Sequence, residues 1–367
     1  MTLFEEIGFA FPWLKEIHIK VFELPLPVEA LTTLLSISRH TLETLVDMED
    51  VILRGNRAQF DALTNAFRGH RALRKLNLDW CQSLNGGTLD NLVCSLSTIS
   101  TLNKVQICGS VLSGHSLELL CNIHTLDKLC VVDDDIKDNE VTTLAEALEA
   151  NYNIRELNFR LCGLDTSTGA RFANVLRVNK AINVLELRIK DIDFNKYGSY
   201  LTDALRENTT LWVLRLFIDG ASADVPLIRR LLLDALENHP SLKSLRIAFR
   251  GTYNKDIVQE SFVGPLEQLL KYKNFTLEEL KLDGVELSEE IKLLLKLNEA
   301  GRAKLLENSE AFNLWVKALF SNKDDIDVSF LILSLNPSLC VEGARPTVTK
   351  TRGMTPSEGL LDMLEFI

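Results

Sequence analysis

The side chains closest to a metal-binding pattern are Cys108, His115, Cys121, His124 and Cys130. Zinc needs four thiolate or imidazole ligands that converge on one point, so these five matter only if the fold brings four of them together. Asp133-Asp134-Asp135 could offer carboxylates to a hard cation, but the spaced ligands and the glycine of a calcium loop are missing. A solvated turn is the expectation there. There is no glycine-rich phosphate loop, no G-x-S-x-G nucleophile elbow and no H-E-x-x-H pair. No catalytic residue, metal or cofactor is therefore expected, and the chemistry left to the chain is that of recognition.

Which side chains can meet depends on the elements that carry them. Ile154-Arg155-Glu156-Leu157-Asn158-Phe159-Arg160-Leu161-Cys162-Gly163-Leu164 has apolar residues at its first, fourth, sixth and eleventh places. The alternation between the fourth and sixth places is that of a short strand with one buried face. The same spacing starts at Leu14, Leu42, Leu73, Leu102, Leu126, Ile154, Ile182, Leu211, Leu242 and Leu277, in steps of 24 to 35 residues. Of the thirty residues at places one, four and six, only Asp47 is not apolar. Written L-x-x-L-x-L-x-x-C/N-x-L, this is the leucine-rich-repeat signature, and steps near 28 residues leave room for a helix in each unit.

The intervening segments have helical spacing, at 60–67, 171–177, 199–206, 227–236 and 262–270. Another runs through Thr142 to Ala150, with Asp138 as its expected N-cap. Pro226 falls where a first helical turn tolerates proline. The long step after Leu242 is assigned to an enlarged loop over Arg250 to Asp256. The expected architecture is α/β: a leucine-rich-repeat solenoid, or horseshoe, with a parallel concave sheet, convex helices and a helical C-terminal cap. Residues 1–287 form the solenoid of about ten units and 288–340 the cap, with helices at 289–297, 301–306, 310–320 and 325–335. Residues 341–367 read as a flexible tail with a short apolar end, Leu360 to Ile367, for which docking on a partner, docking on the protein itself and simple fraying are the alternatives.

In this register Cys108 and Cys130 face the inner sheet, whereas His115, Cys121 and His124 belong to the helical side, so zinc is not expected. Seven cysteines without a C-x-x-C pair suit reduced thiols better than a disulfide framework. Cys81 and Cys162 occupy the ninth place of their units, where the signature wants Cys or Asn. The first residues carry acid where a leader would carry base, and no apolar run reaches the ~18 residues of a membrane span. A cytoplasmic or nuclear protein is expected.

Places three, five and seven of each unit point away from the core. Across the ten units they hold nine Lys or Arg against six Asp or Glu, a face of +3 on a chain of net charge −11. The overall charge argues against nucleic acid and anionic membrane as partners. Lys75, Lys104 and Lys128 are expected to stack as one ladder, and Arg160, Arg188, Arg215 and Arg246 as a second with Phe217 beside it. These eight residues are the candidate partner-binding set. Arginine suits bidentate carboxylate or phosphate contacts and stacking, which makes an acidic protein surface the expected ligand.

Through the units at Leu73 to Cys81 and Ile154 to Cys162, the chain resembles the ribonuclease-inhibitor-like branch of leucine-rich-repeat proteins. Its C-terminal Leu297-Asn298-Glu299-Ala300-Gly301-Arg302, Leu305-Leu306, Trp315-Val316 and Asn336-Pro337-Ser338-Leu339-Cys340 look like the ending of uncharacterised diatom leucine-rich-repeat proteins. The resemblance implies the fold and no catalytic residue. The bare inner face is read as that of a protein-interaction scaffold; some members of this branch are GTPase-activator-like regulators, which is the alternative. A ubiquitin-ligase substrate receptor is a third reading, from a faint likeness of Leu24-Pro25-Leu26-Pro27-Val28-Glu29 to an F-box opening.

Overall fold

The structure is a computed structural model that describes residues 13–19, 25–46, 52–79, 86–108, 112–132, 136–162, 165–190, 194–219, 225–237, 239–251, 255–308, 312–336 and 339. Asp47, Cys81, Asp133 to Asp135, Leu360 to Ile367 and the rest of the expected tail lie outside them.

Among the described residues, ten of twelve strands build one parallel sheet. They are β1 (Glu16–His18), β3 (Thr44–Val46), β5 (Lys75–Asp79), β6 (Lys104–Cys108), β7 (Lys128–Val132), β8 (Glu156–Cys162), β9 (Val184–Lys190), β10 (Val213–Asp219), β11 (Ser244–Arg250) and β12 (Glu279–Leu282). Each begins at the third place of its unit, and neighbours pair third place to third place, as in Lys75 with Lys104 and Lys104 with Lys128. The sheet is open, with β1 and β12 as its edges. A helix follows each of β5 to β12, and the order strand, helix, strand repeats along the chain. Strands lie ~4.8 Å apart, while packed helices need roughly 8–10 Å. The helical side is therefore the longer arc, and the sheet lines the concave side of a solenoid.

The inward residues form one continuous core from Ile19 to Leu295. In the sixth unit Phe159 of β8 stacks on Phe172 of the next helix, centroids 5.8 Å apart. Two further strands, β2 (Pro25–Pro27) and β4 (Ile52–Arg54), pair in a small parallel sheet that the spacing did not suggest. Val28 and Glu29 open the helix Val28–Ile37, so the residues with the faint F-box likeness, from Pro25 on, are built into the first turns of the solenoid.

Helix starts follow local chemistry. Ser113, Asp165, Ser288 and Asp325 each accept an N–H of the first turn. Asp138 is not an N-cap, as expected from sequence; it is the first helical residue, after Lys137. Glu140 takes the cap's role by accepting the Lys137 N–H at 2.7 Å, a carboxylate placed where the helix dipole favours it. The expected loop over Arg250 to Asp256 is shorter than proposed. Arg250 ends β11, Gly251 takes φ +104°, and Lys255 and Asp256 already belong to the eighteen-residue helix Lys255–Tyr272. The extra residues of that unit lengthen its helix. Pro265 lies inside it and has no N–H for the Ser261 carbonyl; that carbonyl accepts instead from Arg229 of the preceding helix at 3.3 Å.

A side-chain ladder recurs in six of the ten units, and its asparagines tie a rung to the one before. Three residues ahead of the first leucine stand His70, Asn151, Asn179, Asn208, His239 and Asn274. Asn208 is typical. Its Oδ1 accepts the N–H groups of Thr210 and Leu211 at 2.9 and 2.7 Å, and its Nδ2 donates to the Leu176 carbonyl at 2.6 Å. His239 accepts through Nδ1 from Ser241 and Leu242 in the same way. Sequence reading missed this ladder, although the recurring Asn or His three places before Leu or Ile was visible.

The C-terminal helices Glu289–Glu299, Arg302–Glu307, Phe312–Ser321 and Ile326–Leu335 close the end of the solenoid. Asn298 is the last member of the ladder, donating to the Asn274 and Leu277 carbonyls. Gly301 has φ +91°, a left-handed conformation that disfavours side chains. Arg302, almost fully buried, donates to the carbonyls of Leu270 and Lys271 at 2.8 and 2.7 Å and covers the Phe275 ring at 4.4 Å. It thereby caps the C-terminus of helix Lys255–Tyr272. A second core gathers around Trp315, Leu305 and Ile332.

Candidate functional site

The concave face is built by the side chains that the strand pleat turns away from the core. In β9 they alternate without a break: Leu185, Leu187 and Ile189 are buried, while Glu186, Arg188 and Lys190 are half-buried on the open side. The strands β8 to β11 each run seven residues, so the face extends to the ninth place. That adds Lys190, Asp219 and Arg250, which the reading of places three to seven left out. Continuing the alternation by one more step would have found them.

At the N-terminal end Lys75, Lys104 and Lys128 are in register as expected. Lys128 pairs with Glu156 of the next strand, while Lys75 and Lys104 make no ion pair among the described residues. Beside them Cys108, Cys130 and Val132 form a small apolar cluster, each less than a tenth exposed. Cys121 lies instead in the main core, where burial pushes its thiol up to about 12. His115 is exposed near Glu118, at 3.9 Å. The sheet and the core thus separate the cysteines of the metal-like cluster, and among the described residues no three His, Cys, Asp or Glu side chains are grouped to hold an ion.

The expected arginine ladder is not one row. Arg160 and Arg188 are partners at place seven, but the register sets Phe217 opposite Arg188, and Arg215 opposite Glu186. Arg215 and Arg246 continue at place five. Arg188 and Arg215 occupy successive outward places, so the row steps by two residues between β9 and β10.

Acidic residues thread between the guanidinium groups. Glu186 lies 3.4 Å from Arg188 and 4.0 Å from Arg215, and it accepts from Asn158 at 3.0 Å. Arg160 reaches across two strands to Asp219 at 3.5 Å. Arg246 holds Asp283 with two N–H donors at 2.7 and 3.2 Å. That contact keeps the Asp283 carboxyl below its ordinary range and raises the Arg246 guanidinium. Phe217 is not an exposed anchor: only 6% of it is accessible, because Arg188, Arg246 and Arg250 approach its ring at 5.5, 5.2 and 5.0 Å.

Over places five to nine of β8 to β12, seven cations (Arg160, Arg188, Lys190, Arg215, Arg246, Arg250 and Lys281) face three carboxylates (Glu186, Asp219 and Asp283). An open hollow beside Arg246, Lys281 and Asp283 continues the same face to the last strand. The arrangement has the chemistry to meet anions and planar groups, and among these residues no nucleophile is paired with a base.

No family model matches the chain, and the comparison with curated proteins returns no match. Among solved structures, a chain titled leiomodin-1 actin-binding site 2 (ABS2) is 16% identical, over 50% of this chain and 91% of its own, with a TM-score of 0.29. At that TM-score it bears on neither fold nor partner.

Proposed function

We propose that the protein is a non-enzymatic interaction scaffold, a ribonuclease-inhibitor-like leucine-rich-repeat solenoid that binds an acidic protein partner across β8 to β12. The observation that carries this reading is the excess of seven cations over three carboxylates at places five to nine, or over five once Glu156 and Glu279 at place three are counted, on one uncovered sheet face of a chain with net charge −11. A bare parallel sheet can meet a partner without rearrangement, since its side chains are already ordered by the rungs beneath. Guanidinium groups fixed by Glu186, Asp219 and Asp283 lose little freedom on binding, and their remaining N–H donors suit carboxylates. Lys75 and Lys104, which make no ion pair among the described residues, extend the attraction toward the N-terminal end and would raise the association rate. Among the described residues no helix is long and apolar enough to cross a membrane, and Cys94, Cys121 and Cys130 form no disulfide. Reduced thiols fit work in a reducing compartment such as the cytoplasm.

The test is affinity capture with the wild-type protein and with Arg188→Glu, Arg215→Glu and Arg246→Glu combined, after circular dichroism has shown that the variant is folded. Partners recovered by the wild type are expected to be lost from the variant and to dissociate as salt is raised from 0.05 to about 0.5 M. Equal recovery by the two proteins would remove this face from consideration.

A further inference from the structure

We propose that Arg188, Arg246 and Arg250, gathered around Phe217, bind a phosphorylated side chain of the partner. This rests on the reading of the concave face as the docking surface and names the group that it selects. Arg188 comes from β9, and Arg246 and Arg250 from β11, the two neighbours of the strand that carries Phe217. All three guanidinium carbons lie between 5.0 and 5.5 Å from one ring centroid, so no two are farther apart than the sum of two such distances. Packing against the ring occupies guanidinium faces and leaves N–H edges: those of Arg188 and Arg250, and the Nη1 side of Arg246 that Asp283 does not hold.

Countercharge is short at this place. Glu186 is divided between Arg188 and Arg215, Asp219 is engaged by Arg160, and Asp283 is held by Arg246. Arg250 is exposed and makes no ion pair among the described residues, and the Nε of Arg188 is buried without an acceptor. A carboxylate brings one charge and two oxygens, enough for one guanidinium fork. A phosphomonoester brings a charge of about −1.5 to −2 at pH 7 and three acceptor oxygens. Three forks on one ring match the second ligand better than the first.

The test titrates the full-length protein with fluorescein-labelled degenerate peptide pools whose central residue is fixed as phosphoserine, glutamate or serine. The phosphoserine pool is expected to bind at least about tenfold more tightly than the glutamate pool. That advantage should shrink as pH falls from 7 to 5, where phosphate loses its second charge and glutamate keeps its own. Arg250→Lys, with an unchanged thermal melt, should remove most of it, because an ammonium keeps the charge but not the fork. Equal affinity for the two pools overturns the phosphate assignment and leaves the acidic-partner reading standing. An advantage that survives Arg250→Lys and also Arg188→Lys overturns the assignment to these residues. No binding of any pool, together with unchanged capture by the triple charge-reversal variant, removes both readings.

Discussion

His70 and His239 show how much a single position contributes to this fold. Each is only 3% exposed and accepts two backbone N–H groups through Nδ1. Burial is the larger cause that lowers both to about 4, and for His70 the neighbouring His40 and Arg39 add to it. In the unfolded chain the same imidazoles titrate near 6.5. Between these values the unfolded state takes up protons that the folded state refuses, so stability is complete above 6.5 and declines as pH falls toward 4. The decline should reach roughly 3 kcal/mol for each histidine. Replacing both by Asn, which supplies the same acceptor at Asn179 and Asn208, should flatten it. Urea melts of the two proteins at pH 7 and pH 4.5 measure the difference, and parallel pH dependence would refute the assignment. Arg302 gives a second case. Arg302→Ala should cost about 3 kcal/mol, since it uncaps two helix carbonyls and uncovers Phe275. Arg302→Lys should restore less than half of that, as a lysine cannot donate to both carbonyls while stacking. Equal chemical-denaturation midpoints for the Lys variant and the wild type would count against this role.

At the scale of elements, what was legible in the sequence was whatever repeats at a fixed offset from the leucines. All ten strands of the sheet begin where the apolar spacing of Leu14 through Leu277 put them, because a one-residue slip would expose every core side chain. The basic character of the inner side followed from the same count. What the spacing could not tell is how long side chains fold over one another. Phe217 has the outward register of a contact residue and is covered by three guanidinium groups drawn from two other strands. Arg160 finds its acid on Asp219, two strands away. In the helix Lys255–Tyr272, whose turns across Pro265 the spacing placed at 262–270, the Ser261 carbonyl takes its donor from Arg229 of the preceding helix, which no spacing could show. A double-mutant cycle checks that contact. Arg229→Ala should cost about 1 kcal/mol with Pro265 in place and close to nothing when Pro265→Ala restores the helix bond. Equal costs in the two backgrounds would show that the arginine acts elsewhere.

For the whole molecule, the decisive property is that the rungs pack on their immediate neighbours, with the Arg160–Asp219 contact reaching one rung further. Damage should then stay near its source. Trp315→Ala empties the second core, at a cost of about 3–5 kcal/mol to the C-terminal helices. Hydrogen exchange followed by mass spectrometry should show lost protection over 289–335, while the rungs from β5 to β10 exchange as before. Uniform loss along the chain would mean that the solenoid melts as a single unit. The common start of the ten strands at the third place has one more consequence. The outward side chains stand on a lattice of constant pitch, and the residues that fill it contribute almost nothing to the leucine core beneath. Binding preference can therefore change one lattice point at a time while the scaffold is held constant, so new partners are within reach of single codon changes that leave the protein's folding intact.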